Sequence, residues 1–400
     1  MLCSATRCAS DYQEVAQENP LELSRAIQSG IPSQLRGLCW QLLSASKDEE
    51  MEIIYAYYLR QTSSHEKQIR KDLSRTFPEQ DYFRDGKGVG QENLFNVVKA
   101  YSLYDEECGY CQGMQFIVGP LLLNMPDEEA FSTLVRLMKS YGLRGHFEPN
   151  MPALQLRLFQ FDRLLEDILP LLHRHLVRQG VKTSMYASQW FMTLFSYRFP
   201  LEFVYRILDS VFAEGIEAIF RFAVALMRRS EDALLELTFE DILEYLKGPQ
   251  LLDHYRTPSD SSAGPGAVAM TAEGETEDDS SPPSSSRAGA GPVFDVNAFA
   301  CDAYAMGISP FTLDGYAAEY DERTRAANAH RREVEALRLV NRNLAAKVAS
   351  LEEQLQQISA EHVDLVKQVV MSKIAKEEME EELIRFKMQA SSRTKTAESG

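Results

Sequence analysis

Three short patches of this 400-residue chain hold side chains whose type and spacing suit chemistry. In Ile69-Arg-Lys-Asp72-Leu-Ser-Arg75-Thr-Phe-Pro78, Asp72 and Arg75 stand three apart. On a helix they share a face, so the carboxylate can hold the guanidinium. Pro78 is expected to stop that helix and leave Arg75 near an end, where it projects outward. In Gly109-Tyr110-Cys-Gln112-Gly113-Met114, Gln112 lies between an aromatic residue and a glycine, so its amide can approach a partner's backbone. The third patch is Gly30-Ile-Pro-Ser-Gln-Leu-Arg36-Gly37-Leu-Cys-Trp40, with Pro32 suited to a first helical turn and Leu35, Leu38 and Trp40 supplying apolar bulk. Each patch also has a plain explanation. Arg75 would be a surface ion pair, Gln112 a helix-start residue and Trp40 part of the core.

Other apparent chemistry is weaker. Cys108-Gly-Tyr-Cys111 has the spacing of a redox dithiol, but the preceding Tyr104 to Glu107 is polar and acidic, which raises a thiol pKa. With no second cysteine pair and no nearby histidine, zinc lacks ligands. Gly86-Lys-Gly-Val-Gly90 lacks the Lys-Ser/Thr of a phosphate loop and reads as a flexible surface loop. His173 and His175 are two apart and would face different sides of a helix. No metal site is expected, nor a self-contained enzyme with its own nucleotide.

The elements that must position these residues are helical. From Leu21 to about Tyr255 apolar residues recur at three and four, and no stretch alternates in the manner of a strand. Pro149, Pro152, Pro170 and Pro200 mark helix starts or bends. The fold class expected is all-α: an N-terminal tail over 1–18, a helical domain over 19–318, a coiled coil over 319–390 and a C-terminal tail over 391–400. Residues 257–292, rich in Ser, Gly, Pro and Ala, offer too few apolar side chains to offset chain entropy. They read as a disordered insertion in a loop of the domain, because Phe294, Phe299, Phe311, Leu313 and Tyr316 beyond it need a core to join. With position a at Val334, the heptads place Asn341, Val348, Leu355 and His362 at a and Leu337, Leu344, Leu351 and Ile358 at d. His362, Ser372 and Lys376 weaken the second half of the seam, where pairing is expected to be looser or with another protein.

Composition excludes several roles. With 42 basic and 59 acidic residues the net charge is −17, against a general nucleic-acid binder and against non-specific attraction to anionic lipid. The longest nearly apolar run, Phe116 to Met125, is too short for a bilayer span, and the first residues lack a secretory signal. Six irregularly spaced cysteines form no disulfide framework. The chain is expected to be soluble and cytoplasmic.

Taken together and in order, the three patches resemble the TBC family of Rab GTPase-activating proteins, in which GIPxxLRGxxW, IxxDxxRTFP and YxQGM follow one another. Tyr186-Ala-Ser-Gln-Trp190-Phe is similar to that family's SxWF patch. The resemblance covers about 20–256 and 293–318. It implies an all-helical domain that binds a GTP-loaded Rab and speeds hydrolysis, with Arg75 and Gln112 entering the GTPase site and GTP and magnesium carried by the Rab. An ionised guanidinium suits charge building on the phosphate oxygens, and the amide of Gln112 can orient the attacking water. Asp72 would orient Arg75, with Tyr110 and Gly113 supporting. Arg36 either pairs with an internal carboxylate or touches the Rab; its neighbour Gly37 suggests close helix packing, so Arg36, Gly37, Trp40 and Trp190 are read as structural. The coiled coil would serve a homodimer or another coiled-coil partner. Recruitment to Golgi or secretory membranes, as in fungal members, would be peripheral. The competing reading is a catalytically silent Rab-binding adaptor.

Overall fold

The three-and-four periodicity is realised as helix. The computed structural model describes residues 18–84, 89–257 and 293–397. Helices α1 (Pro20–Ser29), α2 (Arg36–Ser44), α3 (Glu49–Leu59), α4 (Glu66–Leu73) and the single turn α5 (Asp81–Arg84) precede α6 (Val89–Tyr104), α7 (Met114–Leu122) and α8 (Asp127–Lys139). Then come α9 (Pro152–Ile168), α10 (Pro170–Gln179), α11 (Ala187–Met192), α12 (Leu201–Glu214), α13 (Ala218–Arg229), α14 (Glu231–Leu235) and α15 (Phe239–Lys247). Beyond residue 292 lie α16 (Val296–Tyr304) and the long α17 (Pro310–Ala397). Among the described residues the only extended pairing is one bridge between Arg256 and Phe294. Pro152 and Pro170 open α9 and α10, and Pro200 caps α12, the positions where a missing N–H costs no helical bond.

The chain divides into two compact units at Tyr320–Asp321. In the first, α6 is buried along Leu94, Val97, Val98, Ala100 and Tyr101 and packs among α3, α4, α7 and α8. A second packing centre is α12, which meets α1, α2, α13 and α16. Thr257 donates its N–H to Val293 O at 2.9 Å, and Asp295 N–H reaches Tyr255 O at 2.7 Å. The chain on either side of 258–292 therefore lies side by side. The expected disorder of that segment and most of the N-terminal tail lie outside the described residues, as do residues 86–88 of the expected loop at 86–90. The last two residues of that loop, Val89 and Gly90, instead open α6, with Gly90 buried. Phe299, Leu313 and Tyr316 join the core, but Phe311 does not: it stands 87% exposed. Two positions on a helix are about 200° apart, so the face that buries Leu313 turns Phe311 outward. The last domain helix and the expected coiled coil are one continuous element, and it runs past residue 390 to Ala397. In the second unit it presents its apolar residues to solvent.

One buried carboxylate organises the first patch. Asp209 on α12 is fully buried. Its Oδ1 accepts the Trp40 indole N–H at 2.8 Å and Arg36 Nε at 3.3 Å, and its Oδ2 accepts Ile31 N–H at 3.5 Å and lies 4.0 Å from Arg206. Arg36 also donates to Ile31 O at 2.8 Å, and Arg206 to Gln28 O at 2.6 Å. Burial pushes the Asp209 carboxyl up, and Arg36 is the main counterweight. Gly37 lets α2 close on the end of α7: a Cβ there would stand 2.0 Å from Asn124 O. Removing the carboxylate strands two buried guanidinium groups and an indole N–H, so Asp209→Ala should cost about 3–5 kcal/mol. Trp40→Phe, losing one hydrogen bond to a charged acceptor, should cost about 1–3 kcal/mol. Urea unfolding of the two variants would check both; a loss below about 1 kcal/mol for Asp209→Ala refutes the organising role.

His146, in the 3-10 turn before α9, is fully buried. Burial, reinforced by the Arg157 guanidinium, holds its imidazolium pKa down to about 3. The unfolded chain takes up this proton below about pH 6.5 while the folded one does not. Stability is therefore unaffected above that pH and falls as pH drops through the window from 6.5 towards 3. Between pH 7 and 5 the loss should be about 2 kcal/mol, measured as a fall in the urea midpoint that His146→Phe largely removes.

Candidate functional site

Arg75 does not lie on a helix. Helix α4 closes at Leu73, well before Pro78. Thr76, itself buried, donates its hydroxyl to Asp72 O at 2.8 Å and its N–H to Leu73 O at 3.0 Å. That side-chain bond competes with the helical ladder and ends it early. Phe77 then takes a left-handed φ of 47° and turns its ring against Phe83 and Phe116, over the space left by Gly119. Arg75 is carried by this turn with its side chain 53% exposed, and its guanidinium is paired to the nearly buried Asp72.

Gln112 sits on the second loop, exposed, immediately before α7. Gly113 caps α7 with φ of 118°, a conformation that favours glycine. Two interactions hold this loop. Arg144 clamps Asp105 through Nε at 2.7 Å and Nη2 at 3.0 Å, and also reaches Glu107 and Glu148. Asp105 in turn accepts Cys108 N–H at 3.2 Å, and Arg144 keeps its carboxyl below the usual range. On the other side, Gln115 Oε1 accepts Gly113 N–H at 2.9 Å.

The two loops are joined through one tyrosine. Tyr110 donates its hydroxyl proton to Asp72 Oδ2 at 2.7 Å, and the tyrosine hydroxyl oxygen itself lies 3.3 Å from Gln115 Oε1. Burial and the Asp72 charge push the phenol's pKa up, so it remains a donor. Asp72 thus faces Arg75 with one oxygen and Tyr110 with the other. Arg75, Asp72, Tyr110 and the Gly113–Gln115 turn form one connected set, with the exposed guanidinium and the exposed carboxamide at its ends.

Arg75 also belongs to the wall of a cleft of about 810 Å³, together with Phe77, Phe116, Tyr197, Arg198 and Arg256; Gln112 does not. The wall carries Arg75, Arg198, Lys247 and Arg256 against Glu79 and Glu202, a locally cationic surface on an acidic chain. Trp190 supports it from beneath. Its buried ring stacks on Phe195 and meets Tyr186 and Phe199 edge-on. Leu194 and Phe195 are both left-handed and buried, a strain that this aromatic packing sustains. The strained turn delivers Tyr197 and Arg198 to the cleft.

Arg36, Gly37 and Trp40 stand apart from the loops that carry Arg75 and Gln112, in the Asp209 cluster. The Cys108 thiol is pushed up to about 12, chiefly by burial and further by Cys111 and Asp105, which leaves no reactive thiolate. Among the described residues no His, Cys, Asp and Glu cluster has metal-binding geometry, and no helix is long and apolar enough to cross a membrane. Sequence reasoning missed Gln115, Asp105, Arg144 and Asp209. A signal existed for the last: an Asp inside Ile207-Leu-Asp209-Ser-Val-Phe212 is unsustainable in a core unless paired.

Known proteins share both sequence and fold. The family model described as RabGAP TBC domain matches residues 91–323, more than half of the chain. The chain is 40% identical over 382 residues to GTPase-activating protein GYP5 of Eremothecium gossypii, covering 94% of this chain and 45% of the relative. To GTPase-activating protein GYP5 of Saccharomyces cerevisiae it is 38% identical over 371 residues, covering 92% and 40%. The chain therefore spans less than half the length of these two curated relatives. The crystal structure of the Chlamydomonas flagellar RabGAP TBC domain superposes with a TM-score of 0.52 at 28% identity, over 61% of this chain and 85% of that one. Arg75 precedes the matched segment and Gln112 lies within it. By the extent of that match, this chain belongs to the RabGAP TBC domain family.

Proposed function

We propose that this protein is a GTPase-activating protein for a Rab-family GTPase, and that it works by inserting Arg75 and Gln112 into the active site of the GTP-bound partner. The observation that carries the reading is the connected set from Arg75 through Asp72 and Tyr110 to the Gly113–Gln115 turn. It holds two exposed side chains of complementary chemistry in fixed relation, and surface residues without a shared task have no need of such a frame. The likeness to the two fungal GTPase-activating proteins supports the same reading.

Phosphoryl transfer leaves the protein mainly positioning and charge stabilisation. The Rab would bring GTP and magnesium; this chain contributes no cofactor. The guanidinium of Arg75 has five donors in a planar fork, so it can keep its bond to Asp72 and still direct other N–H groups at the transferred phosphoryl oxygens. The Tyr110 hydroxyl, by bonding the second Asp72 oxygen, withdraws part of the carboxylate charge that would otherwise oppose an anionic substrate. The Gln112 carbonyl oxygen can accept a hydrogen bond from the attacking water while its NH2 group donates towards the phosphate, which orients the water without taking its proton. An arginine supplied in trans is worth roughly 10³–10⁵ in rate, about 4–7 kcal/mol.

The protein acts as an activator rather than as a hydrolase with its own nucleotide. Its partner meets it at the Arg75 cleft, whose cationic wall favours an acidic or anionic surface. The long helix is assigned to a coiled-coil partner. The site of action is the cytoplasmic face of Golgi or secretory membranes, reached peripherally, in keeping with the likeness to fungal GTPase-activating proteins.

Single-turnover GTP hydrolysis across a panel of purified Rabs tests the mechanism. The parent should accelerate one or a few of them. Arg75→Ala should lower that acceleration at least about 10³-fold and Gln112→Ala about 10²-fold, with binding to GTP-loaded Rab largely kept. Tyr110→Phe should lower the maximal rate up to about tenfold at unchanged half-saturation, because it disturbs only the orientation of both groups. GTP-dependent binding without acceleration of any Rab would instead establish the adaptor reading.

A further inference from the structure

The segment of α17 beyond Tyr320 carries an apolar stripe along one side. With Val334 at a, the heptad runs through Leu337, Leu344, Val348, Leu351, Leu355 and Ile358, which stand 53–68% exposed. It continues through Leu365, Val369, Met379, Leu383 and Phe386, exposed to a similar degree, with the polar His362, Ser372 and Lys376 interrupting this second half of the seam. A stripe of this length on one helix calls for a second helix. Three features of the seam and its flanks identify the occupant.

First, the opening heptads place Val334, Asn341 and Val348 at a and Leu337, Leu344 and Leu351 at d, the β-branched/leucine arrangement that favours two parallel strands. Second, Asn341 at a meets its own equivalent only when two identical helices run parallel and in register; in an antiparallel pair it would face an aliphatic d residue and leave its amide unpaired. Third, the flanking charges fit that alignment. In a parallel pair a g residue faces the e residue five positions later on the other helix. Glu333 at g then faces Arg338, Lys347 faces Glu352, and Glu382 faces Lys387. The remaining g–e pairs are Val340 with Ala345, Gln354 with Ser359, Glu361 with Val366, Gln368 with Lys373 and Ala375 with Glu380, none of them like-charged. From these features we infer that the stripe is covered by a second copy of this chain, in a parallel, in-register two-stranded coiled coil that would give the protein two catalytic domains. The inference is independent of the assignment of Arg75 and Gln112.

Sedimentation equilibrium on the full chain tests it, with Lys347→Glu, Glu352→Lys and the double variant beside the parent. These positions lie outside the seam, and circular dichroism should report unchanged helix content. The parent should sediment at twice the 45.3 kDa chain mass. Each single variant sets like charges opposite each other twice per dimer and should dissociate about tenfold more readily. The double variant should recover parental affinity, and the two single variants mixed should pair with each other in preference to themselves. A monomeric parent would overturn the pairing. A dimer indifferent to the single changes, or one that the double change fails to restore, would overturn the parallel register. A mass of three or four chains would overturn the two-stranded assignment.

Discussion

The helical domain depends on a carboxylate held where a carboxylate does not belong. Asp209 stands in the interior of α12, and desolvating it is tolerable only because Arg36, Arg206, the Trp40 indole and the Ile31 N–H converge on its two oxygens. Such a cluster adds little net stability compared with an apolar core of the same shape, but it is strict about geometry. Only one docking of the first patch on α12 satisfies all four donors. That docking sets α2 against the end of α7, where Gly37 admits the Asn124 carbonyl, and the loop that leads into α7 carries Gln112.

Asp72 repeats the device at the surface, and the difference is instructive. It too is a buried carboxylate, satisfied by an arginine and by a ring hydroxyl in place of the indole. Arg36 is enclosed, however, while Arg75 is half open to solvent. The first pair is spent wholly on architecture. The second has donors left over, and a planar guanidinium can serve an internal carboxylate and an external anion together. The tyrosine that completes the shell also belongs to the glutamine's loop, so the frame that steadies one side chain steadies the other.

Among the described residues, three of the six non-glycine residues with left-handed backbone belong to the turns that build this surface. Phe77, Leu194 and Phe195 all adopt left-handed backbone; Phe77 and Phe195 are anchored by aromatic packing, and Leu194 is buried. The turns so formed carry Arg75 on one side of the cleft and Tyr197 and Arg198 on the other. A rigid wall lowers the entropy lost when a partner docks, which fits the proposed role of positioning.

Much was legible from residues alone, because much of it is local. Helical period, proline at helix starts, the Asp72–Arg75 spacing and the heptads are relations between residues a few positions apart, and the chain carries them without reference to the rest of the fold. The family resemblance was legible for a related reason: its motifs are short and ordered. What the sequence did not disclose are relations between distant segments. Trp40 meets Asp209 across 169 positions, Tyr110 meets Asp72 across 38 and Arg144 meets Asp105 across 39. Phe311 is outside because its neighbour's burial chose the face, and α4 ends early because Thr76 turns back on it. Local spacing thus determined which side chains could do chemistry. Only the tertiary structure decided which of them are enclosed, which stay open and which carboxylate each arginine answers to, since burial and the pairing of charge are settled by packing.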